Sequence, residues 1–130
     1  MPESLLKGRR ILIIEDEYSL ADELNRVLQQ AGAEILGPVA SVEGGLRILE
    51  SSTVLDAASL DVSLGGETVY PLADALIARA VPFVFTTGYD QAAIPAAYAH
   101  IHRLEKPVEP ETVLEELASL FRSTTGHPAD

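Results

Sequence analysis

Two kinds of segment alternate along this 130-residue chain, and that alternation constrains its fold more than any single motif. Short runs rich in β-branched or aromatic residues, Ile11–Ile14, Glu34–Ala40, Leu55–Leu60 and Val81–Phe85, read as buried strands, with His100–Leu104 a weaker fifth. Between them, apolar residues recur at helical spacing. Leu20, Leu24, Val27, Leu28 and Ala31 form one stripe, which Gly32 ends. Ser41 stands as N-cap to a helix carrying Val42, Leu46 and Leu49, weakened by Gly44 and Gly45. Val69, Leu72, Ala73, Leu76, Ile77 and Ala80 share a third face, with Pro71 tolerable only in the first turn. Pro110 opens the last helix, which carries Val113, Leu114, Leu117, Leu120 and Phe121. From Asp90 to Ala99, Pro95 interrupts the pattern and only Ile94, Ala97 and Tyr98 offer a stripe, so a short, mobile helix is expected there. Strand–helix units of this length, repeated five times, predict an α/β domain: one parallel sheet with helices on both faces.

Composition fits one such domain. The chain is 47% hydrophobic and 22% charged, far from a disordered acidic tail. A chain of ~150 residues buries about two-thirds of its unfolded surface, so a real core is within reach. Residues 1–8 read as an N-terminal extension, 9–122 as the domain and 123–130 as a polar tail. With no cysteine, disulfide frameworks, thiolate zinc sites and Cys nucleophiles are excluded, which fits a reducing, cytoplasmic setting. No apolar run approaches the ~20 residues of a spanning helix. The basic tetrad Lys7–Arg10 leads into four apolar residues and then Glu15-Asp16-Glu17, which is no secretory signal. A formal net charge of −11 repels polyanions, so direct DNA binding is not expected.

In open α/β sheets, ligands gather at the carboxyl ends of the strands. Here the first strand runs into Glu15-Asp16-Glu17, the third into Asp61-Val62-Ser63, the fourth into Thr86-Thr87-Gly88 and the fifth into Glu105-Lys106-Pro107. Glu15, Asp16 and Asp61 brought together would repel one another toward protonation unless a cation intervened. Hard oxygen donors of this kind suit Mg²⁺. Lys106, one of only two lysines, can pair with Asp61 or with a phosphoryl group on it, and Thr87 can donate its hydroxyl to the same group. Asp61 is thus a candidate carboxylate nucleophile for phosphoryl transfer.

These pieces, in this order and at these spacings, resemble the response-regulator receiver domain (CheY-like). The resemblance spans roughly residues 9–122 and rests on Ile11–Glu17, Leu60–Ser63, Thr87-Gly88 and Lys106-Pro107. It implies a flavodoxin-like (βα)5 fold of strand order 2-1-3-4-5. It also implies a phosphoacceptor at Asp61, served by a sensor histidine kinase or a histidine phosphotransfer protein. Mg²⁺ would be held by Glu15, Asp16, Asp61 and the main-chain carbonyl of Ser63. Thr87 and Gly88 would form the switch, Lys106 would bind the phosphoryl, and the Lys106–Pro107 bond would be cis. Such a domain catalyses only its own phosphorylation and dephosphorylation, acts on a downstream protein, and is expected as a monomer or weak dimer. Receivers usually carry an aromatic residue three positions before the strand-five lysine; here that residue is Arg103. The run Pro82–Tyr89 is similar to the PFxFATGY subgroup, often stand-alone domains working with HWE or related kinases, with Thr86 in place of Ala. Tyr89 and Arg103 are accordingly the candidates for coupling, Arg103 either through partner binding or as no more than a surface charge.

Plainer roles suit several other residues. Glu17 reads as solvated, Thr86 as a β-former, Gly65-Gly66 as a turn, and Phe83 and Phe85 as packing. His100 and His102 have no ligand partners at metal spacing. A Mg²⁺-dependent aspartyl phosphatase is disfavoured, because no Asp-x-Asp follows strand one and Ser63 stands where a second acid would be needed. A pseudo-receiver that binds partners without phosphorylation is the alternative function.

Overall fold

The computed structural model describes residues 5–51, 54–88 and 94–125. Strands β1 (Arg10–Ile14), β2 (Glu34–Val39), β3 (Ala57–Asp61), β6 (Phe83–Thr87) and β7 (Arg103–Glu105) form one sheet in the order β2-β1-β3-β6-β7. Every neighbouring pair is parallel. Between β3 and β6 in the chain lies a small antiparallel ribbon, β4 (Ser63–Leu64) and β5 (Glu67–Thr68). Sheet strands taken alone therefore run 2-1-3-4-5, the flavodoxin-like order expected from the sequence. Helices α1 (Tyr18–Gln30), α2 (Val42–Ser51), α3 (Tyr70–Ala78) and α4 (Pro110–Thr125) complete the layers.

Alternation along β1 divides the core in two. Ile11 and Ile13 face a layer with Leu20, Leu24 and Leu28 of α1 and Val113, Leu117 and Phe121 of α4. Leu12 and Ile14 face the other layer, with Leu49 of α2, Leu72 and Leu76 of α3, and Phe83 and Phe85. Each fully buried aliphatic of this kind stabilises by about 1.5–3 kcal/mol, whereas an exposed pair such as Arg10–Glu34 contributes about 1 kcal/mol or less. The sheet is therefore held by its two apolar layers.

Local signals explain most element ends. Ser41 Oγ accepts the Gly44 N–H at 3.0 Å, capping α2 as its sequence predicts. Gly45 has a structural reason for interrupting that helix: a Cβ there would stand 2.7 Å from Leu72 Cδ2 and 2.9 Å from Ile14 Cδ1. Gly65 (φ +58°) and Gly66 (φ +97°) form the two-residue turn of the β4–β5 ribbon.

Three expectations change in detail. The third helix stops at Ala78, leaving Ile77 43% exposed and Ala80 beyond it at φ +58°. Of the helix expected over Asp90–Ala99, residues 90–93 lie outside the described residues, and the remainder holds a single 3₁₀ turn, Ala96–Tyr98. Pro95 precedes it in extended conformation (ψ 147°), which no α-helix accommodates. Leu6, within the segment expected to be an extension, is fully buried in the α1–α4 layer, and α4 continues to Thr125. Among the described residues no helix is long and apolar enough to cross a membrane.

Candidate functional site

Parallel register places the site. Ile14 pairs with Leu60, Leu60 with Phe85, and Phe85 with Arg103. The next row along the chain is Glu15, Asp61, Thr86 and Leu104, and the one after it contains Asp16, Val62, Thr87 and Glu105. Four strands thus deliver their polar ends to one edge at the same height. A main-chain bond from the Lys106 N–H to the Thr87 carbonyl, 2.7 Å, ties the last of them in place. The Lys106–Pro107 peptide is cis; so is Gly37–Pro38, which no sequence signal anticipates.

Glu15, Asp16 and Asp61 each bring a carboxylate oxygen within 4.8 Å of the others. Glu15 and Asp61 are 3% and 4% exposed, whereas Asp16 faces solvent. The Lys106 ammonium donates to Glu15 Oε2 at 2.8 Å and to Asp61 Oδ2 at 3.0 Å. Glu17 lies farther off, 3.7 Å from Lys106 Nζ, and is exposed, as a solvated acid would be. The Ser63 N–H donates to Asp61 Oδ1 at 3.2 Å, so the residue named for its carbonyl also fixes the acceptor through its amide.

One ammonium between two buried carboxylates leaves a charge without a match. Burial pushes the Glu15 carboxyl up to about 7, with the Asp61 charge adding to the rise and Lys106 opposing it. Asp61 is raised for the same first reason, burial, again opposed by Lys106. Burial would lower Lys106, but hydrogen bonds to the two acids outweigh it and the ammonium is raised. A hard divalent cation would relieve this imbalance, so the donor set fits Mg²⁺ on its own chemistry.

Thr87 and Gly88 stand at the end of β6, Thr87 buried and Gly88 beside Lys106, Pro107 and Val108 on the rim of a cleft of about 440 Å³. Thr86 is buried too. Its Oγ1 has no hydrogen-bond partner among the described residues, which a role as plain β-former does not explain. Arg103 is exposed and shares its row and face with Phe85. Tyr89 lies outside the described residues. His100 and His102 are exposed, His102 Nε2 lying 3.2 Å from Glu116.

Behind the site lies an aromatic cluster that sequence reasoning misses. The Tyr70 and Tyr98 rings stack at 4.8 Å, and each meets Phe85 edge-on at 6.2 Å. Tyr98 donates its hydroxyl to Asp74 of α3 at 2.6 Å. In the sequence Tyr98 is only one of three residues on a weak stripe, because its ring partners are 13 and 28 positions away in the chain.

No protein-family model matches the chain. Among solved structures it is similar to SdrG from Sphingomonas melonis Fr1, at 38% identity and TM-score 0.75, covering 87% of this chain and 96% of that one. A BeF3-activated conformation of SdrG from Pseudomonas melonis Fr1 matches at 39% identity and TM-score 0.71, with 86% and 95% covered. A putative response regulator from Chloroflexus aurantiacus J-10-fl matches at 28% identity and TM-score 0.70, with 88% and 98% covered. The receiver domain protein (CheY-like) from Methanospirillum hungatei JF-1 shares the fold at 24% identity and TM-score 0.76, over 90% and 96%. A curated relative, the uncharacterized transcriptional regulatory protein YbdJ of Bacillus subtilis (strain 168), is 24% identical over 93% of this chain. The chain spans about half of that protein's length, 54%. With the fold, the site and these likenesses in agreement, the chain belongs to the CheY-like response-regulator receiver family.

Proposed function

We propose that this receiver domain accepts a phosphoryl group on Asp61 from a phosphohistidine and so switches a protein-binding surface in a two-component phosphorelay. Its family membership supports a two-component signalling role. The observation that carries the finer reading is the Lys106 ammonium bridging Asp61 and Glu15 at the bottom of an open, acid-lined edge.

Asp61 Oδ attacks phosphorus, a P–O bond forms as the P–N bond breaks, and the departing imidazole nitrogen takes up a proton. Lys106 already touches the acceptor and offers its charge to the incoming oxygens, while the Thr87 hydroxyl stands one residue past the partner of Asp61. The Ser63 N–H holds Asp61 Oδ1, leaving the carboxylate oriented by two donors. Mg²⁺ held by Glu15, Asp16, Asp61 and the Ser63 carbonyl would supply countercharge to the carboxylates and phosphoryl oxygens. On this reading the protein transforms no other substrate. Its donor is a sensor kinase, of the HWE or related type to which the likeness of Pro82–Tyr89 to the PFxFATGY subgroup points, or a phosphotransfer protein. The missing aromatic at position 103 favours a second reading, a pseudo-receiver that binds without phosphorylation.

Fluoroberyllate, a phosphoryl mimic, separates the two. Titrated with Mg²⁺ into the protein, it should give a bound fluorine resonance and raise the thermal midpoint, and Asp61→Asn should abolish both effects. No binding by the native chain would favour the pseudo-receiver.

A further inference from the structure

We propose that Tyr98 is the coupling residue of this switch: its ring and hydroxyl hold residues 94–101, ahead of β7, on the sheet at rest and release them when Asp61 is modified. The proposal rests on the phosphoacceptor reading above. Phe83, Phe85 and Thr87 alternate with Val84 and Thr86 along β6, so the first three share a face. Phe85 is fully buried there, two residues from Thr87, and carries the edges of both Tyr70 and Tyr98. Arg103 comes to the same face in register with Phe85, so β7 brings a charged side chain, not a ring, to this place. Tyr98 supplies the ring from the crossover instead. Its contacts reach α3 twice: a stack on Tyr70 at the start of that helix, and a 2.6 Å hydrogen bond to Asp74 one turn further along.

The arrangement suits a two-state element. Among the described residues the crossover has little regular structure, one 3₁₀ turn whose residues are exposed or half-buried. Besides Tyr98, only Ile94 and Ile101 among the described residues of this segment pack against the core layer. Few buried contacts within residues 94–101 mean a low free energy for opening that stretch, and one aromatic stack and one hydrogen bond from Tyr98 contribute to it. The Asp74 hydrogen bond pushes the Tyr98 hydroxyl up to about 12, in keeping with a neutral donor to a charged acceptor. Any rearrangement that draws Thr87 toward a group on Asp61 changes the space beside Phe85, the ring on which Tyr98 leans. Release would uncover Phe85, Tyr70 and the α3 rim to a protein partner.

The test is amide hydrogen exchange over residues 95–101, with and without fluoroberyllate and Mg²⁺, in the native chain, Tyr98→Phe and Asp74→Ala, each of which removes the hydrogen bond. In the native chain the mimic should speed exchange there by about tenfold. Both variants, of which Asp74→Ala truncates an exposed side chain and leaves the core alone, should exchange faster without the mimic and respond less to it. Their bound fluorine resonance should remain. Binding of the mimic without any change over 95–101, or variants indistinguishable from the native chain, would overturn the role of Tyr98 and leave the phosphoacceptor reading intact. Failure of the native chain to bind the mimic would overturn both.

Discussion

Lys106 Nζ stands 2.8 Å from Glu15 Oε2, closer than the 3.0 Å that separates it from the proposed acceptor Asp61. The ammonium is therefore shared, at rest, between the proposed acceptor and a second carboxylate. A cation bound by Glu15 would free Lys106 for Asp61 and whatever becomes attached to it.

The first prediction is a pH dependence. In the metal-free protein Glu15 is raised to about 7 by burial, so the folded state holds a proton that the unfolded state releases near the ordinary value of 4.5. This contribution to stability is complete below the unfolded value and is lost as pH rises through the folded one. Mg²⁺ held by Glu15 would have to displace the same proton, and so would bind more weakly in acid. The thermal midpoint gained on adding Mg²⁺ to chelator-treated protein should be larger at about pH 8 than at about pH 5.5. An equal gain at both would contradict the assignment of Glu15 as a ligand.

Replacing Lys106 by Met leaves two buried carboxylates facing each other. Breaking such a pair should lower metal-free stability by about 3 kcal/mol at about pH 8, and less in acid, where protonation relieves it. Urea unfolding at the two pH values measures this; a loss independent of pH would mean that packing, not charge, holds Lys106.

Thr86 carries a buried hydroxyl without a hydrogen-bond partner among the described residues. Thr86→Val removes the unpaired group and keeps the branched shape, and should raise stability by about 1 kcal/mol. A loss in urea unfolding would show that the hydroxyl has a partner after all.

Ala80 closes α3 in the left-handed region, φ +58°, with its N–H bonded to the Ile77 carbonyl and the Val81 N–H to that of Leu76. Glycine is the residue this position favours. Ala80→Gly should therefore gain about 0.5 kcal/mol in urea unfolding, net of the unfolded-state entropy glycine adds.

Legible in the sequence is whatever depends on period and short spacing. β1 is visible because Ile11–Ile14 are buried on both faces of a parallel sheet and so form an unbroken apolar run. Glu15, Asp16, Asp61 and Lys106 can be found because strand ends in such a sheet lie level. Tyr98 escapes because its place is set by tertiary stacking on Tyr70, with no period to announce it. Leu6 looks like part of an extension since one apolar pair carries no pattern, yet its side chain closes the α1–α4 layer. The end of α3 is overrun because Ala80 continues the helical spacing, and spacing is blind to a positive φ.

Intact-mass measurement after incubation with a small phosphodonor and Mg²⁺ tests the central claim most directly. The native chain should gain a single phosphoryl group that is stable in acid and lost in base, and Asp61→Asn should gain none. A native chain that binds Mg²⁺ but stays unmodified, or phosphorylation that persists in Asp61→Asn, would contradict it.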